Sequence, residues 1–377
     1  MYSVLINALL SSSPDYDILF ESLTWPRDSW PGTERVEALT AFIEGLGPLL
    51  ADSDTTTFSA AKRGSIKSKI DSMIWTQCLP LLSRISAEAG EDMRCRESTA
   101  AACRLLNICV PLCDETVPGR MALFVLPSLQ LSEEEVPAPG RLSVEVAIEV
   151  MAALVPSLSA DEQLTLTTVS SALSCIKTLP DALVSKITVR LLLTVLNCCS
   201  GARLTSILKL ILDDLCSWHS TDSTPVVTER ALLCLTALSD HLLKPHYLPS
   251  SSSSSSSCEP DPRLSLQFWR MVQDGLTHRD SLSRKRALYL LKMCVALSEE
   301  EGVDCPVSPS EEDEILFKWA PNRSKLLREF WEDYALVMET LEENQVHVVR
   351  PVLNRIDTLI QTTVNDSQGC QQVLKKS

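Results

Sequence analysis

Apolar side chains recur at intervals of three and four along nearly the whole chain, as at Val227, Ala231, Cys234, Leu238 and Leu242, where the steps are 4, 3, 4 and 4. That spacing gathers them on one face of a helix with 3.6 residues per turn. No segment of comparable length alternates with the period of two that a half-buried strand requires. The fold class expected is all-α. Predicted helices cover 2–11, 15–23, 34–50, 65–88, 93–113, 121–130, 141–155, 160–178, 181–199, 203–217, 226–243, 263–276, 282–298, 311–319, 324–341 and 346–364. Start signals accompany several of them. Ser159 with Glu162 reads as a capping box, Ser308 with Pro309 and Glu311 as one with proline at the first helical position, and Thr224-Pro225 as a similar start.

Helices starting about every 20 residues make pairs that repeat at about 40, the period of HEAT and armadillo units. A lone helix pair exposes an apolar face that it cannot bury, and stacking pairs covers it through contacts between neighbours. The architecture expected is an irregular HEAT/armadillo-like α-solenoid of stacked antiparallel helix pairs. A compact bundle is the competing arrangement. It needs longer, better matched helices around one core, and single cores stop growing near ~250 to 300 residues. The organisation expected is a solenoid over 1–248, a poly-serine linker over 249–262, further helical repeats over 263–364 and a divergent tail over 365–377. The linker carries eight consecutive serines, Ser250 to Ser257, and too little apolar side chain to offset the ordering of its backbone. An acidic loop at 299–314 holds eight carboxylates and no base.

The 34 Lys and Arg against 49 Asp and Glu leave the chain at −15, so any contact with nucleic acid must be a local patch. Only 11 Gly and 19 aromatic residues (7 Trp, 5 Tyr, 7 Phe) disfavour a glycine-rich nucleotide loop. The 14 Cys fall mostly inside apolar helical patterns, the distribution of reduced buried thiols. Met1 to Leu10 lacks the basic residues of a secretory signal, and the uncharged stretches are shorter than the ~18 apolar residues of a membrane span. A cytoplasmic or nuclear protein without membrane association is expected.

Phosphate loops of the Gly-x-x-x-x-Gly-Lys type, Gly-x-Gly-x-x-Gly turns, Gly-x-Ser-x-Gly elbows and His-Glu-x-x-His helices do not occur. Cys216 and His219, with Cys234 and His241, have spacings that suit half-sites for zinc, but Cys234 lies on an apolar stripe and core thiols explain the pattern better. The dispersed histidines at 219, 241, 246, 278 and 347 form no catalytic set. The expectation is no catalytic, cofactor-binding or metal residue. Two basic segments remain. Lys62, Arg63, Lys67 and Lys69 precede Asp71 without an acid, and Arg279, Arg284, Lys285, Arg286 and Lys292 against Asp280 give a local +4. Such a set on a helix suits an RNA backbone, where each phosphate neutralised releases counterion, while a solvated helix face is the competing reading.

The stretch from Phe330 to Leu353 (FWEDYALVMETLEENQVHVVRPVL) resembles the TAR RNA-binding protein family, tRNA 2'-O-ribose methyltransferases of the SPOUT class. Ser283 to Leu291 (SRKRALYLL) is similar to the helical region of the same family. The resemblance covers Leu264 to Val364 and is looser upstream. It implies a long helical-repeat N-terminal part followed, in the full enzyme, by a knotted domain that uses S-adenosylmethionine to methylate a D-loop guanosine of tRNA. The family's Asn-x-Gly-x-x-x-Arg type motif and its glycine-containing knot loops have no counterpart in this sequence. The tail Asn365 to Ser377 also departs from the resemblance, as in a truncated product, splice form or incomplete gene product. A chain of this kind is expected to bind no cofactor and to be inactive alone, with S-adenosylmethionine implied only for the full-length enzyme.

The resemblance therefore implies a non-catalytic helical part that holds tRNA or organises the enzyme. Arg279, Arg284, Lys285, Arg286, Arg323, Lys325 and Arg328 are the expected RNA contacts, as phosphate clamps rather than base readers. A HEAT-type protein–protein interaction scaffold, with protein partners or self-association, is the alternative.

Overall fold

In a computed structural model of the chain, residues 16–26, 29–51, 60–87, 93–129, 141–158, 161–218, 225–244 and 261–301 are described. Every regular element among them is helical, so the all-α expectation holds. The chain divides into two compact units, one ending at Cys199 and one beginning at Ser200.

The first unit runs α1 (Tyr16–Leu23), α2 (Thr33–Ala51), α3 (Ala60–Met73), α4 (Leu79–Ala87), α5 (Met93–Cys109), α6 (Thr116–Leu129), α7 (Val144–Leu158), α8 (Glu162–Ile176), α9 (Asp181–Lys186) and α10 (Leu193–Cys198). Two of these helices continue through wider π-helical turns. Ile74–Cys78 joins α3 to α4, and Ile187–Leu192 joins α9 to α10. The sequence pattern shows each as one long helix because a π-turn keeps the helix direction and only adds a residue to the loop of hydrogen bonds.

α7 is the middle of this unit. Its apolar residues are so closely spaced that it is buried on more than one side, with Ala147, Ile148, Val150, Met151 and Leu154 fully covered. It packs against α5, α6, the second π-turn and α10, while α2 packs on α1 and α5. An ionic layer closes the contact of α7 with the end of α9 and the π-turn that follows it. Lys186 Nζ lies 2.9 Å from Glu145 Oε1 and 3.1 Å from Glu149 Oε1, and Arg190 reaches Glu149 Oε2 at 3.1 Å. Burial resists ionisation of Glu149, but hydrogen bonds from Arg190 and Lys186 outweigh it and hold the carboxyl below the usual range. The start of α8 differs from expectation. Asp161, not Ser159, caps it, with Oδ1 accepting from the Leu164 backbone N–H at 3.0 Å, and Ser159 lies outside the described residues.

The second unit holds α11 (Gly201–Ser217), α12 (Pro225–Ala237), α13 (Ser239–Leu242), a 3₁₀ turn (Pro262–Leu264), α14 (Leu266–Leu276) and α15 (Ser281–Glu301). α14 and α15 form a helical hairpin, and α12 packs on both. The division of the chain thus does not follow the poly-serine stretch, because helices from either side of it share one core. Residues 249–260, the helices expected at 2–11, 311–319, 324–341 and 346–364, and the Ser308 start lie outside the described residues. The entry to α14 is fixed by Arg263, which is buried and paired to Asp261 Oδ2 at 2.8 Å, and by Trp269 Nε1, which donates to the Arg263 carbonyl at 2.8 Å.

Cysteines behave as core side chains. Burial pushes the thiols of Cys78, Cys103 and Cys216 up to about 12, so they stay protonated and unreactive at neutral pH. Among the described residues no helix is long and apolar enough to cross a membrane.

Because α7 supplies so much of the first core, truncating one of its fully buried side chains should be costly. Leu154→Ala is expected to destabilise the first unit by about 2–5 kcal/mol, read as a lower denaturant midpoint with an unchanged slope. A change under about 0.5 kcal/mol would mean that α7 is not central to the packing.

Candidate nucleic-acid interface

The basic sequence after residue 278 folds into the turn and first half of α15. Asp280 caps the helix, with Oδ2 accepting from the Ser283 backbone N–H at 2.7 Å and from Ser283 Oγ at 2.9 Å. Burial opposes ionisation of this carboxyl. The hydrogen bonds from Ser283 and Leu282, with the charge of His278, outweigh it and keep Asp280 below the usual carboxylate range. The Asp280 backbone N–H donates to His278 Nδ1 at 3.1 Å, and His278 Nε2 faces Glu229 of α12 at 3.7 Å. The hairpin is tight. A Cβ on Gly275 would lie 2.7 Å from both the Ala287 Cβ and a Leu232 methyl, so glycine is what lets α14 approach α15 and α12 this closely.

Arg284 does not stand where the sequence expectation put it. It is only 1% exposed, and its Nη1 donates to the carbonyls of His278 at 2.7 Å and Arg279 at 2.8 Å. Its guanidinium ties down the turn between α14 and α15 and presents no face to a phosphate. The reason is helical register. Arg284 falls on the line of Ala287 and Leu291, three and seven residues on, and both are buried.

The remaining charges take the other face. Arg279 and Lys285 are exposed, Arg286 is half-buried and Lys292 is exposed two turns on from Lys285. Leu282 and Tyr289 stand among them, 53% and 40% exposed. Sequence reasoning missed Tyr289, although its spacing of four from Lys285 and three from Lys292 places it on the same strip. Ser239 Oγ donates to the Tyr289 hydroxyl at 3.5 Å, which places the far end of the ring against α13. Arg323, Lys325 and Arg328 lie outside the described residues.

Two cations of the other basic segment, Lys62 and Lys69, are engaged by the protein itself. Lys69 Nζ sits 2.9 Å from Asp17 Oδ1 and 3.4 Å from Glu21 Oε1, and Lys62 Nζ lies 5.3 Å from the centre of the Tyr16 ring. These contacts bind α3 to α1. The cysteines considered for zinc, Cys216 and Cys234, are both buried, His219 is outside the described residues, and no group of three His, Cys, Asp or Glu suited to a metal occurs among the described residues.

The second unit is thus a helical packing module that carries a basic strip on one helix. Residues 232–377 match the TARBP1 domain, less than half of the chain. The mouse tRNA (guanosine(18)-2'-O)-methyltransferase TARBP1 is 41% identical over 145 residues, which is 38% of this chain and 9% of that protein. This C-terminal region is therefore similar to the TARBP1 family, the one that the residues around Phe330 and Ser283 resemble. The match begins upstream of Leu264 and runs to Ser377, so the tail set apart at 365–377 lies within it. The chain spans about a tenth of the length of the curated relative it matches. No solved structure matches.

The cap predicts an acid sensitivity. A carboxyl held below its unfolded value contributes stability that is complete above that value and is lost as pH falls through the folded one. Asp280→Ala is expected to cost about 0.5–2 kcal/mol at neutral pH. The difference from the parent chain, followed by chemical denaturation, should shrink as the pH drops below the usual carboxylate range. A penalty that stays constant down to acid pH would show that the charge of Asp280 contributes nothing.

Proposed function

We propose that this chain is a non-catalytic, tRNA-holding helical part of a tRNA 2'-O-ribose methyltransferase. The observation that carries the proposal is the cationic strip of α15, which lies inside the region shared with the TARBP1 family. Arg279, Lys285 and Arg286 act on the phosphate backbone, whose contacts position an RNA without reading its sequence. Arg323, Lys325 and Arg328 are proposed to extend the same function. An acidic chain that binds RNA through one local strip gains affinity from release of the counterions beneath it and stays repelled elsewhere.

Methylation of a D-loop guanosine and the binding of S-adenosylmethionine belong, in this reading, to the full-length family enzyme. The helices of each unit are read as irregular HEAT/armadillo-like repeats stacked into a solenoid, in the cytoplasm or nucleus. Packing mainly between helices close in sequence supports the repeat reading.

A protein-interaction scaffold is the second reading. It draws on the first unit, where Leu123 and Phe124 of α6 are 64% and 41% exposed beside Trp75. Arg120 lies 5.1 Å from the centre of the Trp75 ring, and a Trp, Phe and Arg cluster has the composition of an interface hot spot.

Salt-titrated binding of a tRNA transcript to the purified chain separates the two, with S-adenosylmethionine titrated in parallel. Charge reversal of Arg279, Lys285 and Arg286 together is expected to weaken tRNA binding at least tenfold and to flatten its salt dependence by about 0.7 to 0.9 for each phosphate that is no longer neutralised. Unchanged affinity removes α15 from the interface. Binding of S-adenosylmethionine by this chain alone would overturn the non-catalytic reading.

A further inference from the structure

Lys285, Tyr289 and Lys292 share a strip about 60° wide on α15, opposite the face that buries Ala287, Leu290, Leu291 and Cys294. Along the helix axis Lys285 precedes the tyrosine by about 6 Å and Lys292 follows it by about 4.5 Å. An aromatic ring with two-fifths of its surface exposed, between two exposed cations, is not explained by packing alone. Its hydroxyl lies 3.5 Å from Oγ of Ser239 in α13, and Ser239 is itself buried, so the tip of the side chain lies against α13 while the ring remains accessible. The acid nearest in sequence to Ser239 is Asp240, which is exposed. Leu282, about two turns earlier, extends the apolar surface of the same strip.

Cations spaced along a backbone track, with an aromatic side chain between them, are the elements of a surface for unpaired nucleic acid. The charges hold consecutive phosphates, and the ring stacks on the base between them. A duplex keeps its bases inside the stack and offers such a ring nothing but sugar and phosphate. We propose that Tyr289, flanked by Lys285 and Lys292, is a base-stacking residue that makes α15 select unpaired RNA over duplex. This rests on the reading of α15 as an RNA-contacting helix, and adds to it a residue and a class of RNA segment. The phosphate contacts supply affinity and the tyrosine supplies the preference.

The test uses the full chain with three probes: a tRNA transcript, a single-stranded RNA of about a dozen nucleotides, and a duplex of the same length, a size that suits one stacking surface. Tyr289→Ala is expected to weaken binding of the single strand about 5- to 100-fold and to change duplex binding less than about twofold. Tyr289→Phe, which keeps the ring and removes the hydrogen bond to Ser239, is expected to stay within about threefold of the parent chain on every probe, an effect well below that of a full stack. Lys285→Gln and Lys292→Gln should weaken single strand and duplex alike and lower the salt slope by about 0.7 to 0.9 each. Tyr289→Ala weakening both RNAs equally, or neither, overturns the stacking role and leaves the phosphate contacts standing. Failure of the parent chain to bind any of the three RNAs overturns the RNA reading of α15 itself, and the stacking proposal with it. A thermal melt of Tyr289→Ala that matches the parent's excludes misfolding as the cause of any weakening.

Discussion

The basic helix owes its position to one buried cation. Arg284 is the largest of the fully buried side chains among the described residues, and its two hydrogen bonds to the carbonyls of His278 and Arg279 close the turn between α14 and α15. Hydrogen bonds offset the cost of removing a guanidinium from water, and backbone carbonyls in a turn need partners of their own. The two Nη1 bonds serve both. Asp280 completes the turn by capping α15, and Gly275 allows α14 to come close enough for the turn to be that short. Once the turn is fixed, the rotational setting of α15 is fixed with it, and so is the direction in which Lys285, Tyr289 and Lys292 face.

This separates two uses of positive charge in one short segment. Arg284 has a structural role, while its neighbour Lys285 is exposed and Arg286 is half-buried. A similar separation holds in the first unit, where Lys69 and Lys62 fasten α3 to α1 and Lys186 and Arg190 fasten the end of α9 and the second π-turn to α7. These contacts commit the cations that make them to the protein's own carboxylates and rings. Of the two basic segments, the one on α15 has Lys285 and Lys292 on the same face as an exposed tyrosine.

The relationship to the TARBP1 family lies over the second unit from Leu232 onward, and therefore over α14 and α15. The first unit is built by the same rules of helix packing, with α7 at its centre, and carries a different kind of surface in Trp75, Phe124 and Leu123. One unit thus presents charge with an aromatic ring, and the other carries a local apolar and aromatic patch with one arginine beside it.

Periodicity alone determined that the chain is helical and located most of its helices to within a few residues, because an apolar stripe with a spacing of three and four is a direct record of which side of a helix is buried. Caps were less legible. Asp161 rather than Ser159 starts α8, since several polar residues in a row can each cap and the backbone geometry chooses among them. The π-turns at Ile74 and Ile187 left no mark in the pattern. The family resemblance was readable from Phe330 to Leu353 and from Ser283 to Leu291, because it resides in local text. The tertiary structure alone decided which cations face water, that the chain divides after Cys199, and that Tyr289 stands exposed between two lysines. Charge in a sequence gives the number of cations, but burial depends on what packs against each one, and that is set by neighbours distant in the chain.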